Sequence, residues 1–538
     1  MSPRPAPAGP VTLTLGARAL SRDLGDFPTP PALVAAVLER LGPIGEQWPR
    51  VLEPTCGRGH FLKGLIDGTS PPREIRGIEI QASHYEAAQA LARDTDSVRL
   101  EVVRANLFDL DLRRDLAWRE PGPLLVVGNP PWVTNAELGV LGSENLPRKS
   151  NVKQLRGIDA RTGASNFDIA EAIWLKLLRE LAGEEATIAL LCKTSVARGI
   201  LQFAERGDLP IAEASIVRFD AKTWFRAAVD ACLFRVKVGV GVGAGLERVP
   251  VFAGFPSVRP ESAIGFVRGR LVADLDRYRP LAFADGPCPL TWRQGLKHDA
   301  ATVMELEHDL GPGSLRNKQG ETLNVESDWV YPLLKGADLV RGPVSRPTRA
   351  VIVTQRRVGQ DTRGLEQAAP RLWAYLAGHA AAFARRKSSI YRGQAPFAMF
   401  GIGPYSFAPY KVAVSGLGKA PRFHAVGSVR GRPVMFDDTC YFLPCRSPEQ
   451  AAITTALLND PATLALIDAL IFRDAKRPIT KALLARLDLA ALSGYVDHRA
   501  LLMRAEDEFA RLLAAETVIS ENETDTLSLD SRESAIIP

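Results

Sequence analysis

The stretch that decides the fold is Leu124-Leu125-Val126-Val127-Gly128-Asn129-Pro130-Pro131-Trp132. Its first four residues are apolar without alternation, the pattern of a strand covered on both faces. Pro130 and Pro131 end that strand, because proline fixes φ and offers the sheet no N–H. What remains is a rigid set of acceptors, the Asn129 side-chain oxygen and the Pro130 carbonyl, beside the flat face of Trp132.

Working outward, the same grammar repeats on both sides. Arg50–Glu53 reads as a short strand that enters the glycine-rich turn Pro54-Thr55-Cys56-Gly57-Arg58-Gly59, with a helix from about His60 to Ile66. Ile75–Ile80 is a second strand, Ser83–Arg93 a helix and Leu100–Arg104 a third strand. Downstream, Ile169–Leu181 is helical, and Ala186–Cys192 and Ala231–Val238 are strands. A helix over Pro30–Leu41 precedes them all. Strands alternating with helices over about 200 residues predict an α/β, doubly wound, Rossmann-like sheet.

The periodicity fades after Gly241, and the Gly/Val-rich stretch Gly241–Gly254 reads as a junction. Beyond it lie irregular strands and helical segments near 367–386, 451–472 and 482–513, a mixed α+β pattern. The expected organisation is a flexible arm over 1–25, a catalytic domain over 26–245 and a second domain over 246–515. A Ser/Thr/Asp/Glu-rich tail over 516–538 is expected to be disordered.

The composition, 46% hydrophobic and 24% charged over 538 residues, permits sizeable cores and more than one domain. No apolar run approaches the roughly 18–20 residues that span a bilayer, so a cytoplasmic protein with no membrane partner is expected. The six cysteines form no CxxC pair, which leaves no expected metal site. The net charge of +6 is unevenly placed. Tyr331 to Thr480 carries 21 Lys/Arg against 9 Asp/Glu, an excess of 12, so the remainder sums to −6. A basic module joined to a mildly acidic one suggests a polyanion-binding domain attached to something else.

Candidate chemistry concentrates in three places. After the first strand, Gly57 and Gly59 allow close backbone approach, and the helix N-terminus behind them presents free N–H groups. Glu79 ends the second strand, where nucleoside-binding folds place a carboxylate on ribose hydroxyls. The spacing lacks GxGxxG, which favours a ligand without a pyrophosphate. The Asn129–Trp132 loop is the third place. The exocyclic amine of a base is a poor nucleophile, since its lone pair is delocalised into the ring. Two acceptors holding its hydrogens release that lone pair, and Trp132 gives the base a surface to stack on.

In order and content these motifs resemble the gamma-class, TaqI-like amino-methyltransferases of bacterial DNA modification. Glu53–Phe61 is similar to the family's first motif, Glu79 to its acidic strand end, and Asn129-Pro130-Pro131-Trp132 to its (N/D/S)PP(Y/F/W) motif. Thr29-Pro30-Pro31 matches an N-terminal segment that contacts the methionine end of the cofactor. Phe225, within Thr223–Asp230, matches an aromatic residue that stacks on the flipped base. The resemblance covers residues 25–240 and implies S-adenosylmethionine as methyl donor. It implies Thr29, Glu53, Thr55, Gly57, Gly59, Phe61, Glu79, Ile80, Asn106, Leu107 and Asn129 around that donor. It also implies Asn129, Pro130, Pro131, Trp132 and Phe225 around the target adenine. Where the family often has an aspartate after the third strand, this chain has Asn106, with Asp109 as a rival. Cys192-Lys193-Thr194-Ser195 stands where the family usually has proline, and for Lys193 surface and phosphate contact are both open.

The resemblance further implies a C-terminal target-recognition domain bound to double-stranded DNA, and a cognate restriction endonuclease or defence-system subunits acting on the same site. Tyr331-Pro-Leu-Leu-Lys335-Gly336 is similar to a recurrent opening of such domains. Thr354–Arg357, Arg385–Ser389, the aromatic residues Phe397, Phe400, Tyr405, Phe407 and Tyr410 around Lys411, and Arg473–Arg477 are the candidate DNA contacts. Trp292–Asp299 is a concentrated polar segment with no assigned role. Asp437-Asp438 lacks an ExK partner, so no nuclease is expected. The expected reaction is methyl transfer to adenine N6. The alternatives are cytosine N4, an RNA or protein N-methyltransferase, and a catalytically silent DNA-recognition subunit.

Overall fold

The computed structural model describes residues 28–93, 97–133, 168–207, 209–239, 246–308, 315–342 and 347–514. The expected N-terminal arm and acidic tail lie outside the described residues. The chain divides into two compact units, Met1–Asp276 and Arg277–Pro538.

The first unit is built on one ten-stranded sheet. Its strands are β1 (Arg50–Glu53), β2 (Glu74–Glu79), β3 (Arg99–Arg104), β4 (Leu124–Gly128), β5 (Ala186–Lys193), β6 (Ile211–Asp220) and β7 (Asp230–Val238). Then come β8 (Val249–Phe252), β9 (Ser262–Val267) and β10 (Arg270–Val272). Their spatial order is β3-β2-β1-β4-β5-β7-β6-β8-β9-β10. The pairs β2–β3, β1–β2, β1–β4 and β4–β5 are parallel, while β7 runs antiparallel to both β5 and β6. Strand order reverses between β1 and β4, so the carboxyl ends of these strands flank a topological switch point, where open α/β sheets bind ligands.

Helices cover both faces. α1 (Pro31–Leu41) buries Leu33, Val34, Val37 and Leu41 at helical spacing. These join Leu125 and Val127 of β4, Leu191 of β5 and Leu233 of β7 in one core. The next residue of β7, Phe234, must point to the other face. There it meets Trp174 of α4 (Ile169–Glu180), with ring centroids 4.7 Å apart. All five residues of β4 are buried, as its unbroken apolar run predicts. Three further helices complete the framework used below: α2 (His60–Ile66), α3 (Ala82–Arg93) and α5 (Thr194–Arg206).

Two features depart from the sequence reading. β6 was not distinguishable in the sequence, because Glu213, Ser215 and Arg218 interrupt its apolar residues. Nor does the sheet stop at the glycine-rich stretch 241–254. β8 lies within that stretch, pairs in parallel with β6, and carries β9 and β10 beyond it. Pairing to an existing sheet edge, not local composition, makes this segment a strand.

The second unit holds two sheets. The strands of one are β12 (Glu305–His308), β13 (Leu315–Asn317), β14 (Thr322–Leu323), β15 (Val330–Leu334), β16 (Arg349–Ile352) and β19 (Met435–Phe436). They run in the order β14-β13-β12-β16-β15-β19. The other uses β11 (Arg293–Gln294), β17 (Tyr410–Ser415), β18 (Phe423–Val426) and β20 (Cys440–Cys445), in the order β11-β20-β17-β18. Among its helices are α7 (Gly336–Arg341), α8 (Pro370–Gly378), α9 (Pro448–Leu458) and α10 (Pro461–Leu470). No helix among the described residues is long and apolar enough to cross a membrane.

Candidate active site

The site assembles at the carboxyl ends of β1, β2 and β4. Glu53 ends β1 and is only 3% exposed. Its Oε2 and the Thr55 hydroxyl are buried without a hydrogen-bond partner. Burial pushes the Glu53 carboxyl well above the usual carboxylate range. The Leu62 backbone N–H works against that rise, and the nearby Glu79 adds to it. A buried carboxyl with an unused oxygen calls for a cation or donor to complete it.

The two glycines of the turn have different work. Gly59 has φ 84°, a left-handed conformation that favours glycine, and a Cβ there would push on Leu91 Cδ1 of α3 at 2.7 Å. Gly57 has φ 54° and open space where its Cβ would be, so the backbone there faces room for a ligand. Gly57 N–H donates to Glu79 Oε2 at 2.9 Å, and Gln81 N–H donates to Glu79 Oε1 at 2.7 Å. These bonds hold the carboxylate at the strand end. Each oxygen keeps a lone pair for a further donor.

Beside β1, Gly128 ends β4 so closely that a Cβ would lie 3.3 Å from Glu53 Cγ. Asn129 follows, and its Nδ2 donates to the Thr29 hydroxyl at 3.2 Å. This bond joins residues 100 apart in sequence. With the amide NH2 engaged by Thr29, Oδ1 is the group that side chain has for accepting from a substrate. Trp132 is buried and donates its indole N–H to the Leu191 carbonyl at 3.3 Å. Phe225 ends the short helix α6 (Ala221–Phe225), between β6 and β7.

Trp132 and Phe225 meet edge to face, centroids 5.2 Å apart and planes at 75°. A base held between them needs about 7 Å between near-parallel planes, two van der Waals contacts of about 3.5 Å. The rings are therefore closed on each other and leave no space for a flat ring between them.

The remaining candidates are placed as follows. Phe61 is 1% exposed and Leu107 is also buried, so both serve the core. Ile80 is half-buried, directly after Glu79. Asn106 Oδ1 accepts from Phe108 N–H at 3.0 Å, capping a short turn, while Asp109 is exposed. Lys193 gains a role that the sequence did not supply. Its Nζ lies 3.0 Å from Asp168 Oδ2, and Asp168 caps α4 through the Ala170 N–H. Ile169 N–H also donates to the Val133 carbonyl at 3.1 Å. Lys193 thus fixes the start of α4 next to the end of the Asn129–Val133 loop. Burial, with Glu53 close by, pushes the Cys56 thiol far up, so Cys56 is no nucleophile at neutral pH.

S-adenosylmethionine is a methyl donor that these residues fit. Its ammonium group would suit the unpartnered Glu53 oxygen, and its ribose hydroxyls would suit Glu79. The open face at Gly57 gives the backbone close approach.

No family model matches the chain. A type II methyltransferase, M.NspV of Nostoc sp. (strain ATCC 29411 / PCC 7524), is 34% identical over 474 residues, covering 88% of this chain and 97% of the relative. The chain belongs to the type II methyltransferases of restriction–modification. Among solved structures, the type IIL restriction-modification enzyme MmeI in complex with DNA superposes with a TM-score of 0.45 at 13% identity, covering 93% of this chain and 78% of MmeI. The type I restriction-modification methyltransferase subunit from Streptococcus thermophilus superposes with a TM-score of 0.29 at 18% identity, over 44% of this chain and 50% of its own.

In this type II methyltransferase the second unit corrects several candidate DNA contacts. Thr354 and Gln355 are 1% and 0% exposed. Lys411 is buried and donates to the carbonyls of Ala408 and Val434 at 2.7 and 2.9 Å. None of the three can reach a phosphate. Arg473 and Arg477 are paired with Asp468 and Asp438. The segment Trp292–Asp299 now has a physical account. Trp292 is a core residue, and a Cβ on Gly295 would lie 2.1 Å from the Asp437 carbonyl. His298 is buried, with Nδ1 accepting from Ala300 N–H and Nε2 3.8 Å from Glu305. Glu305 also receives Lys318 and Lys335. The Lys335-Gly336 pair that closes the recurrent motif is therefore structural. Lys335 neutralises a buried carboxylate, and a Cβ on Gly336 would lie 2.5 Å from Thr439 Oγ1.

Proposed function

We propose that the chain transfers a methyl group from S-adenosylmethionine to the N6 amino group of an adenine flipped out of a specific duplex DNA sequence. The observation that carries this reading is the Asn129 amide at the end of β4, oriented by Thr29 and set beside the buried Glu53. Asn129 Oδ1 and the Pro130 carbonyl accept from the two N6 hydrogens, and the nitrogen lone pair turns toward the methyl group. The bound cofactor supplies an electrophilic methyl on a sulfonium. Asn129 Oδ1 and the Pro130 carbonyl would hold the amine so that its lone pair faces that methyl, and the proton that the amine loses on methylation would pass to solvent. No covalent enzyme adduct is needed, which agrees with the inert Cys56. Positioning and hydrogen bonding do the work.

An adenine inside a duplex cannot reach Asn129, so it must leave the stack. Trp132 and Phe225, once opened, give it two aromatic faces. The second unit, with its excess of Lys and Arg, selects the sequence. A restriction endonuclease cutting the same sequence is the natural partner, and the cytoplasm is the setting.

The test is methyl transfer from tritiated S-adenosylmethionine to unmethylated duplex DNA, with product nucleosides separated, for the unmodified chain and Asn129→Ala. The expected result is N6-methyladenine from the unmodified chain and none from the variant, with cofactor binding retained in both. Label in N4-methylcytosine would overturn the choice of base. No label on DNA from a chain that binds the cofactor would overturn the reading.

A further inference from the structure

The basic residues of the second unit do not all face solvent alike. Two loops stand apart, residues 354–363 and 385–394. Together they hold seven Lys/Arg against one acid, Asp361, and that acid is paired with Arg363.

The two loops are bound to one segment of backbone. From the first loop, Thr354 Oγ1 donates to the Phe397 carbonyl at 2.9 Å, and Thr362 Oγ1 donates to the Pro396 carbonyl. Gln355 Oε1 accepts from Met399 N–H at 3.1 Å. The second loop leads directly into this 396–399 segment. At its other end Arg386 donates to the carbonyls of Phe383 and Ala398 at 3.1 and 2.7 Å.

The tip of the first loop is itself clamped. Gln355 Nε2 donates to the Arg357 carbonyl at 2.8 Å, and Arg356 N–H donates to Gln360 Oε1 at 2.8 Å. Gly359, at φ 78°, makes the turn. The buried Gln355 amide thus ties the exposed turn to the 396–399 segment. Preorganised loops lose less entropy on binding.

Each loop contains adjacent arginines, and the structure separates their roles. Arg356 lies over the Phe407 ring at 4.4 Å, and Arg386 over the Tyr391 ring at 3.9 Å. These two are struts. Arg357, Arg385, Lys387 and Arg392 are exposed, and none has a side-chain partner among the described residues. Val358, beside Arg357 at the tip, is 47% exposed.

We infer that these two loops form the DNA-reading edge of the second unit. Arg357 and Val358 meet base edges, and Arg385, Lys387 and Arg392 hold phosphates. This rests on the reading of the chain as a DNA methyltransferase and adds which residues choose the sequence. A guanidinium on a rigid tip suits the paired acceptors of guanine, and a branched apolar neighbour suits the thymine methyl. Cations on the other, less clamped loop suit the backbone.

The experiment uses the full chain on unmethylated genomic DNA, with methylated positions mapped by sequencing and binding measured against salt. For Arg357→Ala, kcat/KM on the cognate sequence falls on the order of tenfold to a hundredfold, and methylation spreads to sequences differing at one base pair. For the double variant Arg385→Ala/Lys387→Ala, affinity for cognate and non-cognate duplexes falls alike. The slope of log affinity against log salt shrinks by about two. Cofactor binding and thermal midpoint, read in parallel, stay unchanged in both. If the unmodified chain methylates DNA while these variants and Val358→Ala keep its sequence preference, KM and salt slope, the assignment of the loops is overturned alone. If the unmodified chain methylates no DNA, the loops and the function reading fall together.

Discussion

Glu53→Gln exchanges a buried carboxyl for an amide of the same shape, and its consequence can be worked from the structure. The carboxyl is 3% exposed, has one unused oxygen, and is held well above its ordinary value by burial and by Glu79. In the free protein it therefore keeps its proton to a higher pH than an exposed glutamate. A cofactor ammonium at about 4 Å contributes roughly 4 kcal/mol at an effective dielectric of about 20. From that must be subtracted about 1.4 kcal/mol for each pH unit by which the free carboxyl's value exceeds the assay pH. At a pH above the free carboxyl's value nothing is subtracted, and the variant should bind S-adenosylmethionine up to about a thousandfold more weakly. Because the bound cation favours the charged carboxylate, binding to the unmodified protein releases a proton. Affinity should then rise with pH until the free carboxyl is itself ionised. Titration calorimetry in buffers of different ionisation enthalpy reads both the affinity and the proton. Methylthioadenosine, which lacks the ammonium, should bind the two proteins equally. An affinity for S-adenosylmethionine within threefold of the unmodified protein, with no proton released by either, would falsify the placement of the ammonium on Glu53.

Two further expectations concern the second unit. Burial lowers the Lys411 ammonium from its ordinary 10.5 to about 7. Between those values the unfolded chain carries a proton that the folded chain lacks, so this residue makes stability rise with pH. Below about 7 both states carry it and the full cost, roughly 5 kcal/mol at about 1.4 kcal/mol per pH unit, is present. Lys411→Met should flatten the stability difference between pH 7 and 10. It should be relatively more stable at pH 6 and relatively less stable at pH 10, where the bonds to Ala408 and Val434 are lost. Denaturant unfolding across that range checks it, and parallel curves for the two proteins would refute it. Gly295→Ala would put a Cβ 2.1 Å from the Asp437 carbonyl and 2.5 Å from that of Phe436. Backbone cannot yield as a side chain does, so a loss of about 3 kcal/mol or more is expected in the unfolding of the second unit. Gly320→Ala, with nothing within 4 Å but a φ of 87°, should cost only about 1–2 kcal/mol.

Much of the first unit was legible because its signals are local. The unbroken apolar run of β4, the Gly57/Gly59 turn and the Asn129-Pro-Pro stop each follow from what a few consecutive residues can do. The second unit was less legible. Thr354, Gln355 and Lys411 look like DNA contacts by type, yet all three face inward. The direction of a side chain depends on which strand or loop packs above it, and a linear sequence does not show that.

By itself the sequence determined the doubly wound α/β sheet, the acidic ends of β1 and β2 and the amide at the end of β4, since strand period, proline geometry and side-chain chemistry are properties of short segments. Only the tertiary structure decided that Thr29 holds Asn129 across 100 residues, that Lys193 braces Asp168, that Trp132 and Phe225 close on each other, and which arginine of each adjacent pair is a strut. Those are contacts between distant segments, set by how the sheets and loops pack.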